Sequence, residues 1–216
     1  ILRGPLQFRH IAIEGPSGGG KTILAERLAA RLDATLILDD TENPFLADAQ
    51  QGRAGAAFQA QLFFLLARHR QQLTVRQGDL FSQTTVADYL FDKDKIYAYL
   101  LLDDNELFIY QRLYDLLVGD VPSPDLVIYL QAPIDVLRKR LRDRSRQTSG
   151  RAAPVVEAPE LGEAYNHFFF HYSATPLLVV ETSHIDCAWG DDALDDLVKQ
   201  VETMGRGTRY YVPRTV

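Results

Sequence analysis

Apolar and polar positions alternate along this chain in two distinct rhythms. Short apolar runs that close on glycine or an acid read as buried strands: "HIAIEG" (10–15), "ATLIL" (34–38), "TTVAD" (84–88), "PDLVIYLQA" (124–132) and "PLLVVET" (176–182). Between them the period lengthens to that of helices. "KTILAERLAARL" (21–32) spaces Ile23, Leu24, Ala25, Leu28, Ala29 and Leu32 on one face. "AFQAQLFFLLARHRQQL" (57–73) is apolar around much of its girth, which predicts a long and largely buried helix. "DKDKIYAYLL" and "DNELFIYQRLYDLLVG" read as two further helices, the second closed by Gly119. A helix over 133–146 begins with proline at its first position, and others follow at 161–173 and 191–205. Strands alternating with helices predict an α/β fold: a five-stranded parallel sheet covered by helices on both faces. Neither an internal repeat nor a linker divides residues 1–216, which read as a single domain. Residues 147–159 have loop composition, and the tail, 205–216, has no assigned place in the pattern.

Composition narrows the class. Apolar residues make up 46% and charged residues 24% of the 216, an ordinary globular balance. The net charge of −6 gives no electrostatic case for binding a nucleic-acid backbone. The longest apolar runs, such as "LFFLLA", are far shorter than the ~20 residues of a membrane span. The first ten residues carry no signal-peptide pattern, and the single cysteine, Cys187, excludes an intrachain disulfide. The expectation is a cytoplasmic protein with no membrane partner.

The strongest chemical signal is "EGPSGGGKT" (14–22), which fits G-x-x-x-x-G-K-[ST] through Gly15, Gly20, Lys21 and Thr22. It follows a predicted strand and opens a predicted helix. Residues Gly15, Pro16, Ser17, Gly18, Gly19 and Gly20 would wrap backbone N–H groups around a phosphate, in angles that β-carbons obstruct. The helix N-terminus adds its dipole. Lys21 would reach the β- and γ-phosphates, and the Thr22 hydroxyl would ligate Mg²⁺. The loop by itself does not separate a hydrolase, a switch and a kinase.

Two other groups bear on the reaction. Arg138, Arg140, Arg142, Arg144 and Arg146 crowd one helix end and lead into a loop; they form either a solvated basic face or a lid, about 140–158, whose guanidinium groups meet phosphate. Arg140 and Arg144 share one face, and Arg142 and Arg146 another. Asp39, Asp40, Glu42 and Asp88 fall at the C-terminal ends of predicted strands, where ligands of such sheets sit. A carboxylate there would hold Mg²⁺, act as general base, or simply serve turn and cap chemistry.

Taken with "ENPFL", "AFQAQLFFLLARHRQQL", "VADYLFDKDKIYA" and "PDLVIYLQAP", the phosphate loop and arginine run resemble the deoxyribonucleoside kinases over roughly residues 9–187, in their bacterial deoxyadenosine/deoxyguanosine-kinase-like branch. The resemblance implies a P-loop fold and ATP-dependent phosphorylation of a deoxynucleoside 5′-hydroxyl, in nucleotide salvage, by a helix-mediated homodimer. It implies that Gln61 recognises the base, with Phe58 or Phe91 lining it. It maps the general base to Asp39, with Glu42 next, and gives Asp88 a share of the Mg²⁺ site. Arg144 and Arg146 match the lid arginines, with Arg140 one turn earlier beside ATP.

The chain also departs from that pattern. Tyr89 stands where the family often has arginine, Ala49 and Gln50 where it commonly has tyrosine, and Thr148 and Ser149 where many members carry glutamate. The base is Asp rather than Glu. The phosphate end follows the family and the sugar end does not, so another small acceptor, such as a nucleoside monophosphate, is the alternative, as is nucleotide binding without efficient transfer. His167 and His171 lie four apart on one predicted helix, where packing accounts for them more simply than a metal.

Overall fold

A computed structural model describes residues 7–39, 42–78, 84–147, 159–185 and 188–213; the side chains of 75–78, 144–147 and 159 are outside the description. The described residues fall into two compact units, one within Ile1–Leu38, Gln83–Leu90 and Ser123–Val216, the other within Asp39–Ser82 and Phe91–Pro122.

The first unit contains the sheet. Strands β1 (His10–Glu14), β2 (Thr35–Ile37), β3 (Thr85–Ala87), β4 (Leu126–Gln131), β5 (Leu177–Glu181) and β6 (Thr208–Tyr211) run in the order β2-β3-β1-β4-β5-β6. Every neighbouring pair is parallel. Helices α1 (Lys21–Leu32), α6 (Ile134–Gln147), α7 (Pro159–Phe170) and α8 (Asp191–Glu202) belong to this unit. The alternation of β4 shows why the sheet must be covered twice. Ile128 and Leu130 enter a core with Leu24 and Leu28 of α1 and Leu197 of α8. Tyr129, between them, stacks on Phe169 of α7 at 4.0 Å between ring centroids.

The sixth strand corrects the expectation of five. It arises from the tail, where "TRYY" is too short and too polar to read as a strand on its own. Its placement comes from distant partners: Arg209 donates to the Thr203 carbonyl at 2.7 Å, at the end of α8, and Tyr211 donates to Asp196 at 2.6 Å. Arg209 thus satisfies a carbonyl that the helix end leaves unpaired.

The second unit is helical: α2 (Leu46–Gln50), α3 (Ala56–Gly78), α4 (Lys93–Leu101) and α5 (Asp104–Val118). Leu65, Phe91, Ala98, Tyr110 and Tyr114 form its core. α5 starts with a capping box, in which Asp103 accepts from the Glu106 N–H and Glu106 accepts from the Asp103 N–H. α3 differs in kind from the evenly apolar helix its sequence suggests. Leu66 faces water, whereas Gln61, Arg68 and Gln72 are buried on the Leu65 side. The spacing 61, 65, 68, 72 makes one helical stripe, and three of its four members are polar. Among the described residues, no helix is long and apolar enough to cross a membrane.

Candidate functional site

In the first unit the turn after β1 is glycine-built for two physical reasons. Gly15, Gly18 and Gly20 have φ of 154°, 85° and 87°, a region that L side chains rarely enter. At Gly15 a β-carbon would lie 2.5 Å from the Leu130 carbonyl oxygen, so the backbone here runs close against β4. Gly20 caps α1 without any side-chain hydrogen bond, and the first turn carries no acid. The helix therefore presents backbone N–H groups and its positive end to an anion.

Around that turn the charged groups are ordered. Lys21 Nζ donates to the Gly15 carbonyl at 2.6 Å and lies 3.9 Å from Glu14. Thr22 Oγ1 donates to Asp88 Oδ2 at 2.7 Å, and Asp88 is buried. Two oxygens at this separation suit a hard divalent cation, since adjacent ligands of an octahedral Mg²⁺ lie roughly 2.9 Å apart. Glu14 has no role in the sequence reading, although a carboxylate ending an apolar strand is a visible signal. It is fully buried and accepts from the Gly15 N–H at 2.8 Å, the Leu90 N–H at 2.9 Å and the Tyr165 hydroxyl at 3.1 Å.

The lid residues are described only in part. Arg140 donates to the carbonyls of Thr182 and Ile185 and to the Thr182 hydroxyl, tying α6 to the segment after β5. The side chains of Arg144 and Arg146 lie outside the described residues, as do Asp40, Thr148, Ser149 and Cys187.

In the second unit Asp39 sits in a cluster of buried charge. It accepts from Arg68 Nε at 2.7 Å, Arg68 Nη2 at 3.0 Å and Lys93 Nζ at 2.5 Å. Arg68 also donates through Nη1 to Asp94, and its guanidinium lies over the Phe64 ring at 4.8 Å. Burial alone would raise the Asp39 pKa, but the Lys93 and Arg68 charges and their hydrogen bonds outweigh it and hold the carboxyl well below the usual carboxylate range. Glu42, the other candidate base, is exposed.

Gln61 lies seven residues before Arg68 on the same stripe of α3 and is buried, yet its Oε1 accepts no hydrogen bond among the described residues. A buried carboxamide oxygen left unpaired costs about 1–3 kcal/mol, which a bound donor would recover. Phe58 packs against the Leu65 cluster, and Phe91 lies within it, 5.5 Å from the Tyr114 ring. Arg68, Lys93 and Asp94 are absent from the sequence reading. The seven-residue spacing from Gln61 to Arg68 and the alternating charges of "DKDK" carry their signal, but neither identifies a partner.

Comparison with known proteins gives a consistent result. A family model described as deoxynucleoside kinase matches residues 11–205. The chain is 36% identical over 138 residues to a deoxyguanosine kinase of Bacillus subtilis (strain 168), covering 63% of this chain and 67% of that one. It is 30% identical over 172 residues to a deoxyadenosine kinase of Dictyostelium discoideum, covering 78% and 69%. Among solved structures, a deoxyadenosine kinase from M. mycoides with products dCMP and a flexible dCDP bound superposes with a TM-score of 0.72 at 20% identity, covering 90% and 99%.

Two outcomes follow from this geometry. Gly15→Ala should destabilise the fold by about 1–3 kcal/mol, read as a lower urea midpoint, and should remove the added stability that ATP gives the wild type. For Asp39 the folded pKa lies below the unfolded one, so its stabilisation is complete above the unfolded value near 4 and fades as pH falls toward the folded one. Asp39→Asn should therefore melt below wild type at pH 7, and the gap should narrow as the pH is lowered through about 4 in a series of melting curves.

Proposed function

The chain belongs to the deoxynucleoside kinase family, and on that premise we propose that it transfers the γ-phosphoryl group of ATP to the 5′-hydroxyl of a purine deoxynucleoside. Gln61 carries the acceptor assignment: a buried carboxamide whose oxygen lacks a partner fits the donor edge of a nucleobase, with its own N–H group left to serve an acceptor. The donor assignment rests on the uncapped start of α1 and on Lys21.

The chemistry then divides between residues. The turn 15–20 and the α1 N-terminus hold the phosphates through backbone N–H groups. Lys21, which here donates to the Gly15 carbonyl, turns its ammonium to the β- and γ-phosphates when ATP is bound. Thr22 and Asp88 would hold Mg²⁺, which when bound neutralises charge on the phosphates. The resemblance gives Arg144 and Arg146 the part of phosphate-neutralising cations, and Arg140 steadies the segment after β5. Asp39 accepts the 5′-hydroxyl hydrogen bond. A new bond forms from the 5′-oxygen to the γ-phosphorus, the bond to the bridging oxygen of ADP breaks, and the hydroxyl proton passes to Asp39. A carboxylate held so firmly as an anion is a weak base, but the loose transition state of phosphoryl transfer needs an oriented hydroxyl more than an early proton abstraction. Phe58 and Phe91 supply apolar surface from the Leu65 cluster of the same unit.

A homodimer fits the exposed apolar residues of α4 and α5, Tyr99, Phe108, Ile109 and Leu116. A cytoplasmic enzyme of nucleotide salvage using ATP and Mg²⁺ completes the reading.

A coupled assay of ADP release against a panel of deoxynucleosides and ribonucleosides tests it. Turnover is expected with purine deoxynucleosides, and Lys21→Ala should lower kcat at least about a hundred-fold while the protein stays folded. ATP binding without acceptor-dependent ADP release from any member of the panel would sink the kinase reading.

A further inference from the structure

Lys93 occupies a position that local physics disfavours. It is the first residue of α4, where the helix dipole repels a cation, and it is 6% exposed. The residue before it gives no relief: Asp92 makes no capping bond, accepting instead from the Tyr114 hydroxyl at 2.7 Å and from Lys95 at 3.0 Å. Burying an ammonium in such a place is costly unless a carboxylate meets it. Lys93 Nζ meets Asp39 Oδ2 at 2.5 Å. A residue that breaks local rules and meets a buried carboxylate at hydrogen-bond distance points to that carboxylate as its reason.

The charge count around Asp39 explains why a second cation is present. Arg68 of α3 reaches Asp39 and, through its remaining nitrogen, Asp94 of α4. One guanidinium shared by two buried carboxylates leaves the group one positive charge short. Lys93 restores neutrality, two acids against two bases, on the Asp39 side of the cluster. The charged groups facing Asp39 are thus Arg68 from α3 and Lys93 from α4, with Asp94 beyond Arg68 and the exposed Glu42 on Asp39's own segment.

We propose that Lys93 is a positioning residue for phosphoryl transfer, fixing the Asp39 carboxylate for the acceptor hydroxyl through their ion pair. The inference rests on the assignment of Asp39 as the group that receives the 5′-hydroxyl. Neutralising Lys93 removes one of the two cations that meet the buried Asp39 carboxylate. Asp39 then takes up a proton at a higher pH, and as a carboxylic acid it no longer accepts the hydroxyl proton.

The test compares Lys93→Gln, Lys93→Arg and Asp39→Asn in the full chain. Carbon-13 NMR titration of the Asp39 side chain and the pH profile of nucleoside kcat/KM at saturating ATP are the two readouts. With Lys93→Gln, both the carboxyl midpoint and the acid limb should rise by about one to three pH units, with KM for ATP unchanged. Lys93→Arg should keep the midpoint low because it keeps the charge. Lys93→Met is read in the same way should Lys93→Gln not fold. A midpoint unmoved in the neutral variant, with Asp39→Asn inactive, overturns this inference and spares the Asp39 assignment. Wild-type turnover by Asp39→Asn overturns both.

Discussion

A carboxylate shut away from water holds together the glycine turn between β1 and α1. Glu14 ends β1 fully buried, and a bare ion there would cost many kcal/mol. It is tolerable because N–H and O–H donors converge on it from Gly15, from Leu90 and from Tyr165 of α7. The same three contacts fix the first residue of the glycine turn, the backbone two residues beyond Asp88, and α7. None of these contacts involves phosphate. The Lys21 ammonium lies 3.9 Å from the same carboxylate. The contacts that shape this turn are thus made within the protein itself, by groups on β1, α7 and the segment after β3.

The second unit applies the same physics with the signs mixed. Asp39, Arg68, Lys93 and Asp94 satisfy one another in a buried cluster, and the Arg68 guanidinium rests on Phe64. Networks of this sort add little net stability compared with an apolar core, but each member is expensive to misplace. That property suits the role proposed for Asp39, whose carboxylate is held by bonds in several directions. Gln61, on the same stripe of α3, is the exception, since its oxygen lacks a partner among the described residues.

The parts legible in the sequence are those whose cause is local. Strand and helix periods, the glycine turn opening α1, and the Thr22 and Asp88 oxygens all follow from short stretches read with ordinary rules, and the fold they imply is the one observed. β6 escaped because four residues of "TRYY" have no apolar rhythm; their place comes from β5, Asp196 and the end of α8. α3 misled in a more instructive way. Its sequence has apolar residues nearly all round, so the pattern could not say that the buried stripe is the polar one. Arg68 finds its partners 29 residues earlier and 26 residues later, distances over which no periodicity carries information.

The family pattern leads one to expect an arginine after the strand-three acid, and this chain has Tyr89, 1% exposed. A guanidinium buried there would need a carboxylate partner of its own. A buried cation does stand four residues later, at Lys93, beside the buried Arg68, and geometry favours a lysine there. Arg68 already engages Asp39 with two of its nitrogens, 2.7 Å and 3.0 Å away, one to each oxygen. A second guanidinium would meet this carboxylate through one nitrogen, keeping its charge but not its fork. A compact ammonium on a flexible stem needs only one oxygen, and Oδ2 provides it. The two cations of the cluster differ in kind because the first consumed the geometry that a second of the same kind would require.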